Sequence, residues 1–320
     1  MNNKKNIIYL ISLALGIGLS GCPAPDDSIH TNVEPLAEFD PISMDRPAID
    51  PDYEPISAGF PIDVDGSPIQ FWWWSPGGRG PYPTIVMLHG SPGIERNLDI
   101  ARVLQRAGFN VATFTHRGHW GSEGFMTPTN GLEDIAAVVD WIRACADDPE
   151  CPPPIDPARI AYLGHSYGGW RAMLSIMEVP DISCAVVLDT SLGPSPSGEE
   201  LRKYVAEHGD IPPEEKEWEK SKTLPGSPAR IEQVGAWSAD LLANVDRLNL
   251  MAQVDELAKQ KLFVLSSSLV DNYSTLVQAL EEHGPERLRT ELWETDHHFN
   301  GRRVELARAM VDYFTEDCFD

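Results

Sequence analysis

A short apolar run, residues 160–163, leads straight into Gly164-His165-Ser166-Tyr167-Gly168-Gly169, and apolar residues at helical spacing follow to residue 177. A strand that turns into a helix over so few residues holds its turn residue in strained backbone. Gly164 and Gly168 let neighbouring backbone approach closely. The start of the helix favours negative charge beside it. This strand–turn–helix unit ties the chain to a layered architecture in which helices cover a sheet.

The rest of the chain repeats that rhythm. Residues 84–88, 109–114, 159–163, 185–188, 262–266 and 288–293 read as strands. Helical spacing marks 94–107, 132–142, 167–177, a stretch around 276–280, and 304–314. Alternating strands and helices imply a mostly parallel twisted sheet with helices on both faces. Two further runs, 61–64 and 69–74, flank Asp65-Gly66 and read as a hairpin that adds antiparallel strands at one edge. Within Phe71-Trp72-Trp73-Trp74, strand alternation puts Phe71 and Trp73 on one face and Trp72 and Trp74 on the other. The rhythm breaks at about residues 191–257, which are Pro-rich, then acidic, then helical over 234–258. An insertion there lies above the carboxyl ends of the strands, where ligands bind, and is expected to act as a lid or cap.

The amino terminus reads as an address. Lys4 and Lys5 precede an apolar run of 13 residues, 7–19, too short to span a bilayer as a helix and of signal-peptide length. The run ends in Leu19-Ser20-Gly21-Cys22, which resembles the bacterial lipobox. That resemblance implies cleavage after residue 21, lipidation of Cys22, and a protein anchored to a membrane without spanning it. Pro23, rather than an aspartate, follows the cysteine and points toward the outer membrane of a Gram-negative cell envelope, facing the periplasm or the exterior. Residues 22–58 are acidic and studded with prolines, and are expected to form a tether. Packing of part of 42–56 on the domain is the alternative. The domain itself spans 59–320. Of the remaining cysteines, Cys145 and Cys151 flank a short loop and leave Cys184 with Cys318 as the other pair, or all four stay as thiols. The net charge of −24 argues against nucleic acid as a partner, because phosphate binding needs a basic surface.

Three motifs in order carry a family resemblance. His89-Gly90-Ser91-Pro92-Gly93 follows one strand, Arg117-Gly118-His119-Trp120-Gly121-Ser122 follows the next, and Gly164-His165-Ser166-Tyr167-Gly168 forms the turn. The chain resembles an α/β-hydrolase over roughly residues 60–315, similar to the prolyl-oligopeptidase-like and dienelactone-hydrolase-like branches. The resemblance implies the α/β-hydrolase fold and a serine hydrolase that uses Ser166 as nucleophile. A serine hydroxyl needs a base to be activated. The family order is Ser, acid, His. His297, after the last strand, is the expected base, with His298 as the alternative. Asp271, in the loop after strand 262–266, is the expected acid, and Asp189, at the end of strand 185–188, is the alternative. Amides of Tyr167 and Ser91 are expected to form the oxyanion hole, since Pro92 cannot donate. Asp296 is read as a residue that shapes its loop, and His116 and His119 likewise.

The reaction implied is cleavage of a carboxylic ester through an acyl-serine. A peptide or amide is the second substrate class, so the partner is a small molecule or short peptide. A non-catalytic binding lipoprotein that keeps the fold is the reading from another class. No cofactor and no metal are implied. Adjacent His297 and His298 point apart in extended chain and have no acid partners at metal spacing.

Overall fold

Asp65 and Gly66 both take positive φ, 50° and 79°, the geometry of a two-residue hairpin turn that matches strand twist. The turn joins β1 (Ile56–Val64) to β2 (Ser67–Ser75), paired antiparallel in register from Ile56 with Ser75 to Val64 with Ser67. The structure, a computed structural model, describes residues 39–46, 52–148, 151, 155–190, 192–268 and 273–319. The signal segment, Cys22 and the first part of the tether lie outside the described residues, as does Asp271.

Six more strands complete the sheet: β3 (Tyr82–Leu88), β4 (Asn110–Phe114), β5 (Ile155–His165), β6 (Ala185–Leu188), β7 (Leu262–Ser267) and β8 (Leu288–Trp293). Their order is β1-β2-β4-β3-β5-β6-β7-β8. β2 meets β4 antiparallel, and every pair from β4 to β8 is parallel. β4 and β5 flank β3 on opposite sides, so the chain reverses direction across the sheet there. Loops at the carboxyl ends of β3 and β5 diverge at such a point and leave a crevice for ligands.

Two apolar layers sandwich the sheet. On one face α2 (Asn130–Cys145), α3 (Tyr167–Glu178) and α9 (Tyr273–His283) follow β4, β5 and β7, and Ile135, Val138, Trp170 and Leu276 pack with Phe71 and Trp73. On the other face α1 (Leu98–Ala107) and α10 (Arg303–Asp312) bury Ile100, Leu104, Leu306 and Met310 with Trp74. The alternation expected along residues 71–74 therefore holds, although Trp74 is buried too, because helices cover both faces. Helix α1 starts at Leu98 rather than 94, since Asn97 is left-handed at φ 53°.

Ile42 packs on the α1 and α10 layer, and Arg106 Nε donates to the Pro41 carbonyl at 2.7 Å. That part of the expected tether is bound to the domain. Disulfides join Cys145 to Cys151 and Cys184 to Cys318, the latter fastening the end of the chain beside the start of β6. Among the described residues no helix is long and apolar enough to cross a membrane.

Between β6 and β7 the chain builds α4 (Gly198–His208), α5 (Pro213–Lys222), α6 (Ala236–Ala243), α7 (Val245–Leu248) and α8 (Val254–Leu257). The single helix expected over 234–258 is thus broken, at Asn244 and again at Asn249. Asn249 turns its side-chain oxygen onto the amides of Met251 and Ala252 and so begins a new turn.

Candidate active site

Ser166 joins β5 to α3 with φ 55° and ψ −123°, a conformation that non-glycine residues adopt at a cost of about 1–3 kcal/mol. The surrounding glycines are there because nothing larger fits. A Cβ at Gly164 would run into the Gly168 carbonyl, and one at Gly168 into the carbonyls of Leu88 and His89. A Cβ on Gly90 would lie 2.9 Å from that of Ser166, which brings the loop after β3 against the turn. The strained backbone is held from β6: Ser166 N donates to the Leu188 carbonyl at 2.8 Å, and Thr190 Oγ1 donates to the Ser166 carbonyl at 3.0 Å.

The loop after β8 carries His297. Asp296 shapes it, accepting the amides of His298 at 2.9 Å and Asn300 at 3.0 Å. The Asn300 amide, with that of His298, holds the Asp296 carboxyl below its ordinary pKa. His165, the residue before Ser166, reaches the same loop: its Nε2 bonds the His297 carbonyl at 2.8 Å, and the two rings lie 4.7 Å apart. Burial pushes the His165 pKa down to about 4, so near neutral pH the ring donates this bond as an uncharged imidazole.

His297 Nδ1 lies 2.6 Å from Asp189 Oδ2. The Asp189 carboxylate is fully buried and also accepts the Ser267 amide at 2.6 Å and its hydroxyl at 3.0 Å. Sequence reasoning preferred Asp271 for this place. Asp271 lies outside the described residues, and the bond to His297 is made by the alternative, Asp189. The ends of β6 and β7 are neighbours, Leu188 opposite Leu265. Ser267, which sequence reasoning missed, stands at the end of β7 and donates two of the bonds that hold the Asp189 carboxylate. His298 turns its carbonyl to Arg303 and makes no such bond to an acid among the described residues.

As the first residue of α3, Tyr167 has an amide that the helix itself does not use. Ser91 is exposed on the loop after β3. His89 braces that loop, its Nδ1 bonding the Gly90 carbonyl at 2.7 Å. Burial lowers the His89 pKa to about 3 and keeps the ring neutral. Beside it a polar cluster joins the loop after β4 to α2. Arg117 Nε donates to Asp134 at 2.5 Å, Asp134 bonds His116 Nδ1 at 3.2 Å, and His119 Nδ1 bonds the Arg117 carbonyl at 3.1 Å. Burial holds His116 and His119 well below the ordinary histidine pKa. Both rings shape the loop, as expected. Among the described residues no group of three or more His, Cys, Asp or Glu side chains is placed to hold a metal ion.

The sheet order, the strained serine at the end of β5 and the bond from His297 to buried Asp189 are features of one class of fold. The alpha/beta hydrolase family model matches residues 85–310, more than half of the chain, and the chain belongs to that family. An esterase of Pyrococcus furiosus has the same fold, with TM-score 0.57 and 19% identity over 86% of this chain and 98% of its own. An acylaminoacyl peptidase of Pyrococcus horikoshii matches with TM-score 0.56 and 13% identity over 83% of this chain and 42% of its own. Among curated proteins, an uncharacterized protein of Mycobacterium tuberculosis is 29% identical over 119 residues, 36% of this chain and 40% of that protein. The lysophosphatidylserine lipase ABHD12 of Gallus gallus is 31% identical over 102 residues, 31% of this chain and 24% of that protein. The match spans less than half the length of either curated relative.

Proposed function

We propose that this chain is a serine hydrolase that cleaves a carboxylic ester through an acyl intermediate on Ser166. The observation that carries the reading is His297, its imidazole bonded through Nδ1 to buried Asp189 and its backbone carbonyl bonded by His165, the neighbour of Ser166. With Nδ1–H donated to the carboxylate, Nε2 is the basic nitrogen. It takes the proton of Ser166 Oγ as the oxygen attacks the ester carbonyl, and returns that proton to the leaving alcohol. Asp189 stabilises the imidazolium formed in between. The oxyanion draws on the amides of Tyr167 and Ser91. Water, deprotonated by His297, then releases the acid and restores Ser166. The same steps serve an amide, with an amine as leaving group, so a peptide is the second substrate class.

Ser166 is tested with a fluorophosphonate probe on the purified protein between pH 7 and 9. Wild type labels and Ser166→Ala does not. An unlabelled wild type would overturn the enzyme reading and favour a binding protein that keeps the fold. A panel of p-nitrophenyl esters of rising chain length beside aminoacyl anilides then separates ester from amide. The segment between β6 and β7 serves as the lid in this reading. The lipobox-like Leu19-Ser20-Gly21-Cys22 supports a lipid anchor at the cell envelope. Incorporation of labelled palmitate in a bacterial host, abolished by Cys22→Ala, is the expected result, and undiminished labelling of that variant would exclude it.

A further inference from the structure

Trp120 holds an unusual combination of properties. Its φ is 38°, left-handed backbone that a bulky side chain rarely adopts. Its side chain is 44% exposed, so burial of the ring does not account for that strain. What the conformation achieves is a set of bonds in two directions. The indole Nε1–H donates to the Pro92 carbonyl at 2.7 Å, reaching the loop after β3 one residue beyond Ser91. The Trp120 amide donates to the Pro228 carbonyl at 3.0 Å, on the segment between β6 and β7. That segment is stitched to the loop after β4 on either side of Trp120. Arg230 N donates to the Gly118 carbonyl, Met126 N to the Arg230 carbonyl, both at 2.7 Å, and the Arg230 guanidinium donates to the carbonyls of Ser122 at 2.6 Å and Trp120 at 3.5 Å. A Cβ on Gly118 would clash with Met126 N and the Arg230 carbonyl, so this close approach is built into the chain.

An oxyanion donor is effective only when its N–H is held in place before charge develops. On its inner side the loop after β3 is braced by His89 and by contact of Gly90 with Ser166. On its outer side Ser91 is exposed, and the indole is the brace that reaches Pro92 from another loop. We propose that Trp120 is a positioning residue that couples the Ser91 amide to residues 228–230, so that the oxyanion hole is set while that segment stays paired to the loop after β4. The inference rests on the serine hydrolase reading and deepens it. It makes the pairing of residues 228–230 with the loop after β4 bear on turnover.

The test compares kcat and KM on the best ester of the panel. Trp120→Phe keeps an aromatic ring and loses the donor. The expected result is a fall in kcat of about tenfold or more with KM within about twofold and an unchanged melting temperature, the size of one lost positioning bond. A residue that merely fills space would move the melting temperature or KM instead. Should Trp120→Phe fold poorly, benzothienylalanine at 120, which keeps the indole shape without the N–H, gives the same readout. Arg230→Ala is expected to lower kcat, and combining it with Trp120→Phe is expected to add little, since both act through one link. Wild-type kcat in the Trp120 variants, or full multiplicativity in the double variant, would overturn the coupling. Failure of wild type to react with fluorophosphonate is a different result, and would overturn the parent reading.

Discussion

Asp189 combines a left-handed φ of 45° with a carboxylate that accepts three hydrogen bonds in a fully buried site. An anion buried in that way is stable only while its donors stay in place. Asp189→Asn keeps the shape but presents a donor to Nδ1–H and reverses the tautomer of His297. The expected loss in kcat is about 10⁴-fold with folding preserved. Asp271→Asn is expected to stay near wild type, and the reverse outcome would assign the acid to the loop after β7. The strained turn at Ser166 and the place of His297 after the last strand are legible in the sequence because each is marked by its own neighbours, the glycines of the turn and the end of the strand. The bond between His297 and Asp189 is not. The choice of acid depends on which of two adjacent parallel strands turns its loop toward the imidazole, and no local pattern records that. Ser267 was hidden for the same reason: its role exists only across the sheet.

At the level of elements, the strands and the helices that follow β3, β4, β5, β7 and β8 could be read from periodicity, because each buries one face against a sheet. The segment between β6 and β7 has no sheet beneath it to impose a period, and its helices were partly missed. One signal was available for α4: Ser197 and Glu200 cap each other's backbone amides, the Ser-x-x-Glu pattern of a helix start. No sequence pattern announces the most consequential bond of the segment. Glu219 is completely buried on α5 and accepts Ser238 N at 2.9 Å and Ser238 Oγ at 2.5 Å, with the Gly235 amide beside them. Its charge sits at the start of α6, where a helix favours an anion. Glu219→Ala strands those donors, and hydrogen bonds to charged groups contribute about 1.5–3 kcal/mol each. Hydrogen–deuterium exchange should speed up across residues 236–243 and leave β5 to β7 protected. Unchanged exchange in α6 would show that the carboxylate is dispensable there.

At the scale of the whole molecule, four buried histidines among the described residues set an acid limit. Burial pushes His165 and His89 down from 6.5 to about 4 and about 3, and lowers His116 and His119 in the same direction. Well above pH 6.5 neither state binds a proton at these sites, and they leave stability unchanged. As pH falls below 6.5 the unfolded chain takes up protons that the folded chain refuses. Each such site then removes about 1.4 kcal/mol per pH unit until its own folded pKa is reached. Most carboxylates titrate lower, so the histidines govern the window between pH 6.5 and 5. Urea midpoints should drop steadily from pH 7 to 5, and a flat profile would contradict neutral burial of these rings. The overall architecture was readable because strand–helix alternation repeats over the chain, whereas the packing of Ile42 on the domain depends on a surface that only the assembled helices create.

The backbone at Ser166 has an implication for how this chain has persisted. A residue at φ 55° and ψ −123° sits where glycine would be more comfortable, and codons for serine and glycine can differ by a single base. A lineage that had stopped needing the hydroxyl would gain folding stability by drifting to glycine at this one position. Under the proposed hydrolase reading the hydroxyl, and not a fit to the turn, accounts for a serine at this position, and Ser166→Gly is expected to fold at least as stably as wild type while losing the fluorophosphonate label.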